Sequence, residues 1–374
     1  EMHARGWNSA YYPRPMVAGL QPASFTSFVK QRVRWTQGMI QIFLLHNPLL
    51  KRGLSFAQRL CYGANAGFWF FSFARICFLL SPIPYLVFGM EIFEATTTQF
   101  VAYAGPHLAA SIIMTDILSG RYRRPFASEL YELALSVYTL PAVIGTMLSP
   151  RKPTFAVTAK DEQLERDFLS PMAKPFLGLL CLLVLALIVG LWRAIVNPQD
   201  LDAIFVVLVW GAFNILLLLG AIGSMFELRH RRASPRIRQD LPARLVADGR
   251  SYPVRITDAS IGGAAVHADG FALSIKPGAS VRLCFQSTDG VEIEAPCEVR
   301  HRKDDGSFGL MFVDPTHATR AAVIAIVYGS SEAWVAEIEK KTQRVGLVRG
   351  IYFFFRVSFG HGLSALGRAF FSGN

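Results

Sequence analysis

Four long apolar runs, over residues 62–90, 99–118, 175–196 and 203–226, constrain this chain more than any other feature. A helix rises about 1.5 Å per residue and a hydrocarbon core is about 30 Å thick, so each run is long enough to cross a membrane. Composition agrees: 52% of the residues are hydrophobic, 29 are Phe, and only 17% are charged, which is not the makeup of a soluble globular protein. The net charge of +11 is gathered in patches, at Lys51-Arg52, 121–124, Arg151-Lys152 and 229–238, each beside a hydrophobic run. The loops at 91–98 and 197–202 carry acids and neither Lys nor Arg. The excess of Lys and Arg on cytoplasmic flanks then sets the acidic loops outside and everything able to do chemistry inside. Charge placed this way faces lipid headgroups, and nucleic acid is not expected as a partner.

A fifth apolar stretch, 133–148, is short for a span, contains Pro141 and follows Glu129 and Glu132, so it is expected to lie in the interface. Arg75 stands within the first run, where a charge is costly. It either lines a polar conduit, snorkels, or pairs with a neighbouring helix. The five cysteines have no metal-binding spacing and read as small buried apolar residues.

Ahead of the first run, residues 1–20 mix Gly, Pro and aromatics in extended pieces, and Tyr12-Pro13 and Arg14-Pro15 argue against a helix. The chain opens on Glu1-Met2-His3-Ala4-Arg5-Gly6-Trp7, which reads as the tail end of a larger α/β domain and hence as the start of a fragment. Ser24 is placed to cap an amphipathic helix that Asn47-Pro48 ends. On it Gln31, Arg34 and Trp35 stand at i, i+3 and i+4, so an amide, a guanidinium and an indole share one face. Trp offers a flat platform for a pyranose, Arg a forked donor for phosphate, and Gln bonds to hydroxyls. A juxtamembrane belt of basic and aromatic residues has the same composition.

Past residue 226 the pattern changes to short alternating runs at 243–247, 252–257, 264–267, 280–286, 291–301 and 308–313. Turn signals separate them, among them Asp248-Gly249, Pro277-Gly278 and Asp289-Gly290. About six antiparallel strands in so short a stretch predict a small closed barrel, with a helix over 317–341 packed on it. The last stretch, 345–371, sets Phe353, Phe354 and Phe355 against Arg349, Arg356 and Arg368, a basic amphipathic helix for a membrane surface or a partner groove.

Three motifs occur in a definite order. Gln31-Arg32-Val33-Arg34-Trp35 resembles the Q-x-x-R-W motif of processive family 2 glycosyltransferases. Phe155-Ala156-Val157-Thr158-Ala159-Lys160 resembles the F-x-V-T-x-K gating loop of bacterial cellulose synthases. Arg232 to Arg236 and Asp258-Ala259-Ser260-Ile261-Gly262-Gly263 resemble the R-x-x-x-R and D-x-S-x-x-G signatures of a PilZ domain, which binds cyclic di-GMP. Together they resemble the bacterial cellulose synthase catalytic subunit over essentially the whole chain.

The resemblance implies a membrane multi-domain protein. Its parts are a glycosyltransferase remnant at 1–23, interfacial helices at 24–61, two spans at 62–118, an interfacial helix and gating loop at 119–172, two spans at 173–226, a PilZ barrel at 229–316 and terminal helices at 317–374. It implies that Trp35 stacks on the terminal glucose of a glucan, that Gln31 and Arg34 contact donor or acceptor, and that Phe155, Val157, Thr158 and Lys160 cover the nucleotide of UDP-glucose. Cyclic di-GMP would be held by Arg231, Arg232, Arg236, Asp258, Ser260 and Gly263. The guanidinium forks suit phosphate and guanine edges, and Asp258 accepts from guanine N–H groups. The T-E-D motif that supplies the base, the D-x-D that binds Mg2+, and most of the UDP pocket would lie ahead of Glu1, leaving this chain alone inactive. A bacterial inner-membrane location and a periplasmic accessory subunit follow from the same resemblance. Another processive polysaccharide synthase, or a non-catalytic membrane receptor for cyclic di-GMP, are the alternatives.

Overall fold

The computed structural model describes residues 1–12, 21–91, 96–120, 126–152, 163–230, 234, 236–268, 275–287, 290–303, 305–329, 335 and 346–371. The chain divides into a helical unit, which contains Gln21–Arg229 and Gln343–Asn374, and a barrel unit, which contains His230–Thr342. The gating-loop residues Phe155, Val157, Thr158 and Lys160, together with Arg231 and Arg232, lie outside the described residues.

In the helical unit the first helix, α1, is Phe25–Leu45; the Ser24 side chain accepts the Ser27 N–H at 3.2 Å, as its sequence predicts. Then come α2 (Phe56–Phe68, opened by a Ser55–Gln58 capping box), α3 (Phe71–Leu80), α4 (Pro82–Phe88), α5 (Thr97–Ser119), α6 (Ala127–Leu148), α7 (Lys174–Val196) and α8 (Leu201–Ser224). Between α6 and α7 lies a two-residue strand, β1 (Phe168–Leu169), paired antiparallel with β2 (Phe226–Glu227), which follows α8.

The 62–90 run is therefore not one helix. It breaks at Trp69-Phe70 and again at Ser81, because Pro82 has no N–H for the Phe78 carbonyl. That carbonyl is taken up instead by Trp210 Nε1 at 3.2 Å and by the buried Asn214 Nδ2 at 3.0 Å. Five stretches among the described residues are long and apolar enough to cross a membrane: Phe71–Phe88, Thr97–Ser119, Ala127–Leu148, Pro171–Val196 and Pro198–Ser224.

The 133–148 run differs from expectation in length, since α6 starts six residues earlier and passes through Pro141 unbroken. Its contacts locate it along α8. Phe126, just ahead of α6, meets Phe213 midway along α8 at a centroid distance of 5.7 Å, and Tyr138 Oη donates to the Met172 carbonyl, just before α7 begins. Leu133, Phe176, Leu218 and Met225 join these helices in one apolar core. Arg75, on α3, is paired: its Nε lies 2.7 Å from Glu132 and its Nη2 3.7 Å from Glu129, both on α6.

The C-terminal segment forms α10 (Leu347–Arg356) and α11 (Gly362–Phe371), joined by a π-helical turn, and packs on α8; α9 (His317–Tyr328) belongs to the barrel unit. Phe354 is buried there, and a Cβ on Gly362 would meet the Leu219 carbonyl oxygen at 2.6 Å, so only glycine permits this crossing. Of the two settings expected for this amphipathic segment, a membrane surface or a groove, its own chain supplies a groove for Phe354, while Tyr352, Phe353 and Phe355 stay exposed.

In the barrel unit six antiparallel strands close on themselves in the order β3-β4-β5-β8-β7-β6. They are β3 (Ile237–Ala247), β4 (Arg250–Ser260), β5 (Gly263–His267), β6 (Ser280–Gln286), β7 (Glu292–Arg302) and β8 (Ser307–Phe312). Each contains or closely matches one of the alternating runs in the sequence. Asp248-Gly249 forms the two-residue turn between β3 and β4, with both residues at positive φ. Leu245, Val266, Leu283, Val299 and Leu310 fill the interior, and α9 (His317–Tyr328) packs Val323 and Val327 against it.

Candidate functional site

On α1 the buried face is Ser27, Val29, Thr36 and Ile40. Gln31 and Arg34 are half-buried beside it, and Trp35 stands out with 46% of its surface exposed. The three motif residues are therefore brought together, with the indole as the most accessible. Arg32 was not singled out by the sequence reading, yet it supports that indole. Its guanidinium lies 4.3 Å from the Trp35 ring centroid, 5.2 Å from Phe28 and 5.4 Å from Tyr131 of α6. Such cation–π contacts are worth about 0.5–1 kcal/mol each when exposed and more when desolvated. The signal was available, since Arg32 stands at i+4 from Phe28 and at i−3 from Trp35.

The loop that carries the F-x-V-T-x-K residues has described stems, and both rest on α1. The Gln41 side-chain amide donates to the Pro150 carbonyl at 2.8 Å. At the other stem Thr26 Oγ1 and Ser170 Oγ are 3.5 Å apart, and the Phe25 N–H donates to Glu227 Oε2 at 3.2 Å. The loop thus leaves and rejoins the helix on either side of Gln31–Trp35.

At the head of the chain, Tyr62 Oη and His3 Nδ1 are 2.8 Å apart, so the first residues dock on α2. Asp200-Leu201-Asp202 spells D-x-D, but it opens α8 at the end opposite β2. Among the described residues no group of three or more His, Cys, Asp or Glu is placed to hold a metal ion.

In the barrel, Arg236 and Asp258 meet across β3 and β4, with Nη1 and Oδ1 2.8 Å apart. Simple alternation along β4 would turn Asp258 inward, as Val254 and Ile256 are. Register irregularities beside it, towards both β3 and β5, break that alternation and leave Asp258 partly exposed. Ser260 is buried and its hydroxyl donates to the Gly263 carbonyl at 3.1 Å, closing the β4–β5 turn. A Cβ on Gly263 would meet the Leu310 carbonyl oxygen at 2.1 Å, so that glycine is required by the approach of β8. Of the motif residues described, Arg236 and Asp258 present polar atoms outward, while Ser260 and Gly263 shape the turn beneath them. Burial pushes the Cys297 thiol up to about 12, which leaves it an inert core residue.

The match to known families follows the same division. A cellulose synthase family model matches residues 1–125 and a PilZ domain model matches residues 230–329. The chain joins a cellulose synthase segment to a PilZ domain. It is 32% identical over 340 residues to the cellulose synthase catalytic subunit [UDP-forming] of Pseudomonas fluorescens, covering 90% of this chain and 46% of that protein. It is 33% identical over 341 residues to cellulose synthase 2 of Novacetimonas hansenii, covering 89% of this chain and 21% of that protein. The cellulose synthase segment and PilZ chain therefore spans less than half the length of these relatives. Among solved structures, the PilZ domain of CeSA from a cellulose-synthesizing bacterium is 21% identical, covering 25% of this chain and 95% of that one with a TM-score of 0.23. The PilZ domain of YcgR from Escherichia coli, solved with c-di-GMP, is 11% identical over 30% of this chain and 94% of that one, with a TM-score of 0.22.

Proposed function

We propose that this chain works in a membrane β-1,4-glucan synthase that uses UDP-glucose, is activated by cyclic di-GMP, and secretes its polymer across the bacterial inner membrane. The observation that carries this reading is the seating of the loop stems on α1 at Thr26 and Gln41, on either side of Gln31–Trp35. A loop anchored at both ends beside a helix face is placed to cover a ligand bound there. Trp35 then offers its indole to the terminal sugar, and Gln31 and Arg34 bond to hydroxyls and phosphate. Phe155, Val157, Thr158 and Lys160 are assigned to the loop's contact with the nucleotide. Of the readings open for Arg75, pairing with a neighbouring helix is the one supported, and its charge serves packing of α3 on α6.

On the regulatory side, cyclic di-GMP is assigned to Arg231, Arg232, Arg236 and Asp258, with Ser260 and Gly263 in the turn beside them. Arg236 is held by Asp258, so both side chains are oriented towards one place. An arginine of 231–236 that holds the gating loop off the site when ligand is absent would couple the two parts, provided ligand binds more tightly to the open state. The Mg2+ implied for such an enzyme finds no fitting cluster of carboxylates among the described residues, and no step is assigned to it here. No T-E-D run occurs in the sequence, and we assign no general base to this chain. The packing of Leu130 of α6 against Gly220, near the end of α8 that leads into β2, supports its placement at the cytoplasmic face beneath the loop.

The test is synthesis by membranes holding the full-length protein, incubated with labelled UDP-glucose with and without cyclic di-GMP. Cellulase-sensitive product that increases with cyclic di-GMP is expected. Product resistant to cellulase would favour another polysaccharide synthase. Cyclic di-GMP binding without any product would favour a receptor.

A further inference from the structure

Residues 21–27, just ahead of the motif helix, contain no carboxylate, yet the head of α1 has one beside it. It comes from β2: Glu227, 7% exposed, accepts the Phe25 N–H, the first of α1. A carboxylate at this end also meets the positive end of the helix macrodipole. Glu227 does not reach this position by itself. β2 is paired with β1, with Phe168 opposite Glu227 and Leu169 opposite Phe226. The Ser170 N–H donates to the Met225 carbonyl at 3.0 Å, and the Arg229 N–H donates to Asp167 Oδ1 at 2.8 Å. Three pieces of chain therefore meet at one junction: the head of the motif helix, the returning stem of the loop, and the strand that leads directly into the arginine-rich linker of the PilZ domain.

We propose that Glu227 is a positioning residue that holds α1 and the loop stem in register with the PilZ linker, so that a change in the linker is transmitted to Gln31–Trp35. The proposal rests on the cyclic di-GMP reading of the barrel. Its physical basis is that β2 is two residues long and follows the packed core at Leu218, Ile222 and Met225 directly, so a displacement of the chain beyond Arg229 reaches Glu227 before it reaches that core. The arginines of the linker then act on the site through β2, by its pairing with β1 and by the Glu227–Phe25 hydrogen bond.

The experiment uses the full-length protein in lipid nanodiscs and two readouts. The first is amide hydrogen exchange at Phe25, with and without cyclic di-GMP. In the wild type the ligand is expected to change exchange at Phe25 by about tenfold, while in Glu227→Ala exchange is fast and indifferent to the ligand. The second is glucan synthesis. Glu227→Ala is expected to bind cyclic di-GMP with a dissociation constant within about twofold of wild type, but to lose most of its stimulation, and Glu227→Gln, which keeps the acceptor oxygen, to retain most of it. Equal loss of basal and stimulated rates in Glu227→Ala, with their ratio unchanged, would indicate a merely structural role and overturn the proposal. Should Glu227→Ala not accumulate, exchange in the wild type decides, since a Phe25 amide that ignores bound cyclic di-GMP overturns the proposal whatever the variants do. Because exchange needs no catalysis, ligand-responsive Phe25 in a protein that makes no glucan would uphold the coupling and reject only the enzymatic reading.

Discussion

Leaving an indole at a surface forgoes burial of one of the largest apolar side chains, and Trp35 keeps 46% of its area exposed. What holds it there is Arg32, whose guanidinium fills the space among Phe28, Tyr131 and the inner face of the ring. The charge of Arg32 is therefore used for packing, whereas that of Arg34 lies on the motif. Arg32→Ala is expected to free the indole and lower the stimulated rate of glucan synthesis by about tenfold, corresponding to about 1.4 kcal/mol of misplaced platform. The Michaelis constant for UDP-glucose should stay nearly constant, and Arg32→Lys should recover part of the rate because an ammonium still sits over the ring. A steady-state comparison of kcat and KM in full-length protein checks this. An effect on KM alone would place Arg32 with the donor and not with Trp35.

At the level of elements, much was legible because it depends on periodicity and caps. Ser24 and the Phe25–Leu45 helix follow from an N-cap ahead of an amphipathic run, and the six strands follow from alternation between turn signals. The breaks at Trp69-Phe70 and Ser81 were missed because apolar residues continue through them, and only the rerouted Phe78 carbonyl marks the second. β1 and β2 are two residues each, too short for any pattern, so the junction at Glu227 had no sequence signal. The requirement for glycine at 263 likewise depends on β8, which lies more than forty residues on. Arg75 is the clearest gain, since a costly charge in an apolar run becomes one side of a bond to Glu132. Removing one partner of such a pair strands the other, so Arg75→Leu is expected to destabilise the bundle by about 3 kcal/mol. The double variant Arg75→Leu with Glu132→Gln should recover more than half of that loss. Thermal unfolding of the detergent-solubilised protein reads both, and a double variant as unstable as the single one would show that the pair does not carry the packing of α3 on α6.

At the scale of the whole molecule, the order of the parts limits how the chain can be threaded through a membrane. β1 and β2 pair before α7 and after α8, so these helices form a hairpin that leaves and returns on one side. The head of α1 is bonded to Glu227 on that same side. The 197–202 turn then lies at the opposite end of the hairpin, and it carries acids without Lys or Arg, as an outer loop should. Labelling with a membrane-impermeant maleimide tests this in a background whose five natural cysteines are replaced. Gln199→Cys, exposed in the α7–α8 turn, is expected to react in spheroplasts and to be protected in inverted vesicles. Ser251→Cys, exposed on β4, should do the reverse, because the barrel follows β2 without an intervening span. Labelling of both from one side would require α7 and α8 not to cross together, and the placement of the 197–202 turn across the membrane from β2 and the head of α1 would fall.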